Sequence, residues 1–85
     1  MEIAVLGIDL GKNSCSVVGL DVKGRVVLRR RMHRESVVDL ASGLTPCVMA
    51  MEARCGAHHL GRILRDHGHE VRRMSPEYVR PYVKA

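Results

Sequence analysis

Phenylalanine and tryptophan are absent from the 85 residues, and the only two tyrosines, Tyr78 and Tyr82, lie near the end. A hydrophobic core must therefore be assembled from Val, Leu, Ile, Met and Ala. Long apolar runs are missing as well. No stretch approaches the roughly 18 residues of a membrane span, and the N-terminus lacks a signal-peptide pattern. These absences argue against a membrane partner and for a cytoplasmic chain. The three cysteines are an odd number, and Cys47 and Cys55 combine with His33, His58 or His59 at spacings that match no regular zinc pattern. Buried, reduced thiols are the simpler reading. There is no internal repeat, linker or low-complexity segment, and a chain this short makes one small domain that buries only about 60% of its unfolded surface.

What is present begins with an almost unbroken apolar run, Ile3-Ala4-Val5-Leu6-Gly7-Ile8, closed by Asp9. Such a run reads as a central, buried strand. A second run, Cys47-Val48-Met49-Ala50-Met51, closes in the same way on Glu52. A carboxylate at the end of a buried strand is costly unless something pairs with its charge.

Between and after these runs the pattern predicts strands over 15–20 and 25–29, joined by an Asp21-Val22-Lys23-Gly24 turn in which Gly24 supplies positive φ. A helix is expected over 35–43, with Val37, Leu40, Ala41 and Leu44 on one stripe and Gly43 as a left-handed cap. A second helix over 57–67 carries Leu60, Ile63 and Leu64 inward and ends at Gly68. A polar fifth strand over 70–74 suits a sheet edge, and Ser75-Pro76-Glu77 has the look of another helix start. The order is β-β-β-α-β-α-β, an α/β mixed sheet. A right-handed crossover that sets the fourth strand beside the first brings Asp9 and Glu52 to one rim.

Two adjacent carboxylates repel unless a cation neutralises them. Mg²⁺ or Mn²⁺ is the natural occupant, because hard cations prefer carboxylate oxygens. Paired ions about 3.5–4 Å apart can activate an attacking oxygen and stabilise the leaving oxygen of a phosphodiester. Asp9 and Glu52 are thus the candidate catalytic and metal-binding residues, while Asp21, Asp39, Asp66 and Glu70 read as surface charges. His33, His67 and His69 read as surface positions, His58 and His59 as partly exposed helix-start residues, and Met49, Met51 and Met74 as core filler.

Fourteen Lys and Arg exceed nine Asp and Glu, giving a net charge of +5. Nucleic-acid phosphates are the commonest partner of such a surface. The candidate contacts are Lys12, Arg29, Arg30, Arg31, Arg34, Arg72, Arg73, Arg80 and Lys84.

Several segments together carry a family likeness: Gly7-Ile8-Asp9-Leu10-Gly11-Lys12-Asn13, Val48-Met49-Ala50-Met51-Glu52-Ala53, Gly56-Ala57-His58-His59, Gly68-His69-Glu70-Val71 and Pro76-Glu77-Tyr78-Val79-Arg80-Pro81-Tyr82-Val83-Lys84. In order and spacing they resemble the N-terminal domain of DEDD-type insertion-sequence transposases, which is RuvC-like and ribonuclease H-like. The resemblance spans essentially residues 1–85 and implies a partial domain of that fold, incomplete at the C-terminus. It implies DNA transposition by metal-dependent phosphodiester chemistry, with Asp9 and Glu52 as the first two of four acids. The family's closely spaced aspartate pair would come after Ala85, as would a C-terminal domain with a nucleophilic serine that helps grip DNA and a structured RNA. A truncated chain is therefore expected, with weak metal binding, no strand cleavage alone and a tendency to self-associate. Gly11 stands where Ala or Ser is expected in many relatives.

Two other classes fit parts of the sequence. An actin- or sugar-kinase-like nucleotide-binding module opens with the same meander and would use Asp9-Leu10-Gly11-Lys12-Asn13-Ser14 as a phosphate loop. A small basic nucleic-acid-binding protein without catalysis would use the arginines alone.

Overall fold

Apolar side chains at alternate strand positions decide which side of the sheet is packed. The computed structural model describes residues 2–52 and 57–74. Five strands, β1 (Val5–Leu10), β2 (Cys15–Leu20), β3 (Val26–Met32), β4 (Val48–Glu52) and β5 (Glu70–Met74), form one mixed sheet in the order β3-β2-β1-β4-β5. The helices α1 (Arg34–Ser42) and α2 (Ala57–Asp66) sit in the β3–β4 and β4–β5 connections. β2 is antiparallel to β1 and β3, whereas β4 is parallel to both β1 and β5. The fourth strand thus lands beside the first, and the polar fifth strand takes an edge.

Leu6, Ile8 and Leu10 of β1, Cys15 and Val17 of β2, and Met49 and Met51 of β4 point to one side, where they join Val37, Ala41, Leu60 and Leu64 from the helices in a single buried cluster. Both helices therefore cover the same face. Leu40, Leu44 and Val38 pack against its margin. α2 comes close through Gly61, where an added Cβ would lie 3.4 Å from Val71 Cγ1. No helix among the described residues is long and apolar enough to cross a membrane.

Three local features depart from the sequence reading. β3 runs on to Met32 rather than stopping at Arg29, because an edge strand can carry Arg29, Arg30 and Arg31 into water while its backbone still pairs with β2. Gly43 ends α1 at φ −94°, not in the left-handed region. The helix closes instead with tight bonds from the Gly43 N–H to the Leu40 carbonyl and from the Leu44 N–H to the Ala41 carbonyl, both 3.1 Å. His69 is buried, not on the surface: only 4% is exposed. Gly24 and Gly68 do take positive φ, 81° and 91°. The expected helix start at Ser75, and Cys55 and Met74 as a side chain, lie outside the described residues.

Candidate functional site

The two strand-end acids come together through register alone. β1 and β4 pair in parallel with Ile8 opposite Met51. One residue further, Asp9 stands across from Glu52, on neighbouring strands about 4.8 Å apart. Directly opposed residues share a face, so both acids lie on the side away from α1 and α2. Asp9 is half-buried and Glu52 is only 2% exposed. A carboxylate at that depth beside another of like charge is an expensive arrangement. It also faces away from the apolar cluster that stabilises the domain.

The rim around the acids is closed by short turns. The Gly11 N–H donates to the Ser14 carbonyl at 2.8 Å, which folds residues 11–14 back on themselves. A Cβ on Gly11 would stand 2.5 Å from that same carbonyl. Glycine is thus required here as the chain is folded. His33 precedes α1 and bonds through Nδ1 to the Asn13 carbonyl at 3.3 Å, fastening the helix start to this turn.

Behind the turn, burial pushes the Cys15 thiol up, and Arg34 beside it partly offsets that effect. Arg34 thus has a structural neighbour at the rim. Cys47, at the opposite rim, is likewise raised by burial, and both thiols are free. At the start of α2, His58 and His59 are exposed. Arg73 donates to the His58 ring, with Nη1 2.9 Å from Nε2.

The basic candidates separate into engaged and open residues. Arg72 is paired with Glu70 at 2.6 Å, Arg73 with His58, and Arg34 with Cys15. Arg29, Arg30 and Arg31 are exposed on β3 and make no ion pair among the described residues. Lys12 is exposed in the turn after Asp9 and Leu10. Arg80 and Lys84 lie outside the described residues.

Asp9 and Glu52 supply carboxylate oxygens, the donor chemistry that Mg²⁺ and Mn²⁺ prefer. Among the described residues, no group of three or more His, Cys, Asp or Glu could hold a metal ion. The pair therefore offers two ligands, which suits a cation that keeps several waters and takes phosphate oxygens as well. A groove of about 560 Å³ lies at the other end of the strands over Ile3, Thr45, Pro46 and Gly68, away from these acids.

Sequence comparison adds relatives across the whole chain. It is 44% identical over 84 residues to a probable family 20 transposase of Pseudomonas aeruginosa. It is 39% identical over 84 residues to the transposase for insertion sequence element IS1328 of Yersinia enterocolitica. To the transposase for insertion sequence element IS1111A of Coxiella burnetii it is 34% identical, again over 84 residues. Each alignment takes in 99% of this chain but only 25%, 25% and 23% of the relative. The chain thus spans about a quarter of the length of the curated relatives it matches. No protein-family model matches it, and no solved structure matches it. The likeness to insertion-sequence transposases read from the motifs is upheld by these relatives.

Proposed function

We propose that this chain is the part of an insertion-sequence transposase that carries the first two metal-binding acids of a ribonuclease H-like domain. Its role is metal-dependent phosphodiester chemistry on DNA during transposition. One observation carries the reading: Asp9 and Glu52 adjoin at the ends of two parallel central strands, on the side the helices leave free. The β-β-β-α-β-α-β order fits the ribonuclease H-like assignment, and the transposase relatives supply DNA as the substrate.

Asp9 and Glu52 would hold Mg²⁺ or Mn²⁺, which when bound lends Lewis-acid stabilisation to the oxygens of a phosphodiester. The chain's own contribution is positional. The parallel ladder fixes the two carboxylates side by side, and the Gly11–Ser14 turn holds the chain as it leaves β1. The kinase-like alternative is disfavoured by that turn, since the Gly11 N–H is already given to the Ser14 carbonyl and cannot also cradle a phosphate.

Paramagnetic Mn²⁺ titrated into the ¹⁵N-labelled chain tests the site. Amide signals of the β1 and β4 ends should broaden first, with weak affinity, and Asp9→Asn or Glu52→Gln should remove the effect. Broadening centred elsewhere, or unchanged in both variants, would refute the assignment.

A further inference from the structure

Three consecutive arginines on an edge strand look equivalent in sequence, but the ladder separates them. Arg31 pairs with Ser16, and Ser16 pairs with Asp9. Arg31, Ser16, Asp9 and Glu52 therefore form one row along the rim, on one face. Arg29 pairs with Val18, and Val18 pairs with Gly7, in the parallel row two residues below. Arg30 pairs with Val17, which is fully buried in the cluster beneath the helices. Alternation puts Arg30 on the helix side of the sheet and Arg29 and Arg31 on the side of the acids.

We infer that Arg29, Arg31 and the Ser16 hydroxyl form a phosphate-binding track for a DNA strand that leads to the Asp9–Glu52 pair, and that Arg30 has no part in it. This rests on the phosphodiester reading above and gives the substrate a direction across the sheet. Arg31 lies two strands from Asp9, about 10 Å at the usual strand spacing. That separation places another phosphate of the same strand at the arginines when one phosphate is at the acids. Ser16, the residue between, is small enough to leave the path open and can donate to a phosphate oxygen.

Charge complementarity selects the occupant. Both guanidiniums are exposed and make no ion pair among the described residues, whereas Arg25, Arg34, Arg72 and Arg73 each have a neighbour to hold them. A cleft of about 290 Å³ opens along β2 and β3, bordered by Ser16, Val18, Arg29 and Arg31. Val17 and Arg30 also border it. Because Val17 is fully buried toward the helices, the cleft meets that ladder position at its backbone.

The test is binding of the 85-residue chain to a fluorescent DNA duplex in EDTA, so that no metal contributes. Arg29→Gln, Arg30→Gln and Arg31→Gln remove the same charge from neighbouring positions. Arg29→Gln and Arg31→Gln should each weaken binding about fivefold at low salt, and the double variant should reduce the salt slope by about 2. Arg30→Gln should change affinity by less than about twofold. Equal losses at all three positions would overturn the one-sided track and leave the Mn²⁺ result standing. So would a wild-type chain that fails to bind DNA at low salt.

Discussion

Two polar residues are buried in the described part of this domain, one at each rim of the sheet, and they stand beside different kinds of neighbour. At the rim where β1 begins, His69 accepts the Cys47 N–H on Nδ1 at 3.2 Å and holds the Ala41 carbonyl with Nε2 at 2.7 Å. In those two bonds Nδ1 accepts and Nε2 donates, and they tie α1 to the starts of β4 and β5. At the rim where β1 ends, Glu52 is buried as deeply but stands, with Asp9, one residue past the Ile8–Met51 pair of the parallel ladder. Burial alone therefore says nothing about role. His69 bonds backbone atoms of two other segments and serves the fold, whereas Glu52 has a second carboxylate across from it, and like charges so placed repel.

Removing His69 should give the largest effect. His69→Ala leaves the Cys47 N–H and the Ala41 carbonyl buried without their partner, which should cost about 2–4 kcal/mol in a urea melt. Glu52→Gln keeps the side chain's shape and a hydrogen-bonding amide in its place, so it should shift stability by no more than about 1 kcal/mol. Equal destabilisation by both substitutions would break the contrast between the rims.

Metal linkage comes next in size. Magnesium at about tenfold over its dissociation constant should stabilise the wild-type chain by about 1.4 kcal/mol. Thermal melts of Asp9→Asn and Glu52→Gln should show no such gain. A rise in melting temperature shared by all three chains would mean that the cation binds somewhere else.

Much of this was legible beforehand because strand alternation is written directly in the sequence. The apolar runs ending at Asp9 and Glu52 located the central strands, and a helical crossover was enough to bring the two acids to one rim. Gly24 and Gly68 also announced themselves, since each follows an element that must reverse. His69 was hidden because its partners are backbone atoms 22 and 28 residues away, which no side-chain pattern encodes. The need for glycine at position 11 was hidden for a similar reason: its constraint is the Ser14 carbonyl, a main-chain atom. The division of Arg29, Arg30 and Arg31 between two faces required the register of β3 against β2, and that register includes an irregularity at Gly19/Leu20.

The smallest expected effect concerns a third acid, at the same rim as His69. Asp21 accepts the Lys23 and Arg25 N–H groups on Oδ1, each at 2.9 Å, and pairs through Oδ2 with Arg25 Nε at 3.0 Å. The Arg25 N–H, followed by the Arg25 side chain and the Lys23 N–H, holds its carboxyl below the ordinary value of 3.8. This carboxylate is surrounded by donors, and it closes the β2–β3 hairpin. Because its folded value is the lower one, its stabilising contribution is complete above the ordinary value and fades as pH falls through the folded value. Asp21→Asn should therefore be slightly less stable than the wild type at pH 7, with the gap closing in acid. A gap that persisted unchanged well below the ordinary carboxylate range would mean that the hairpin depends on the shape of this side chain and not on its charge.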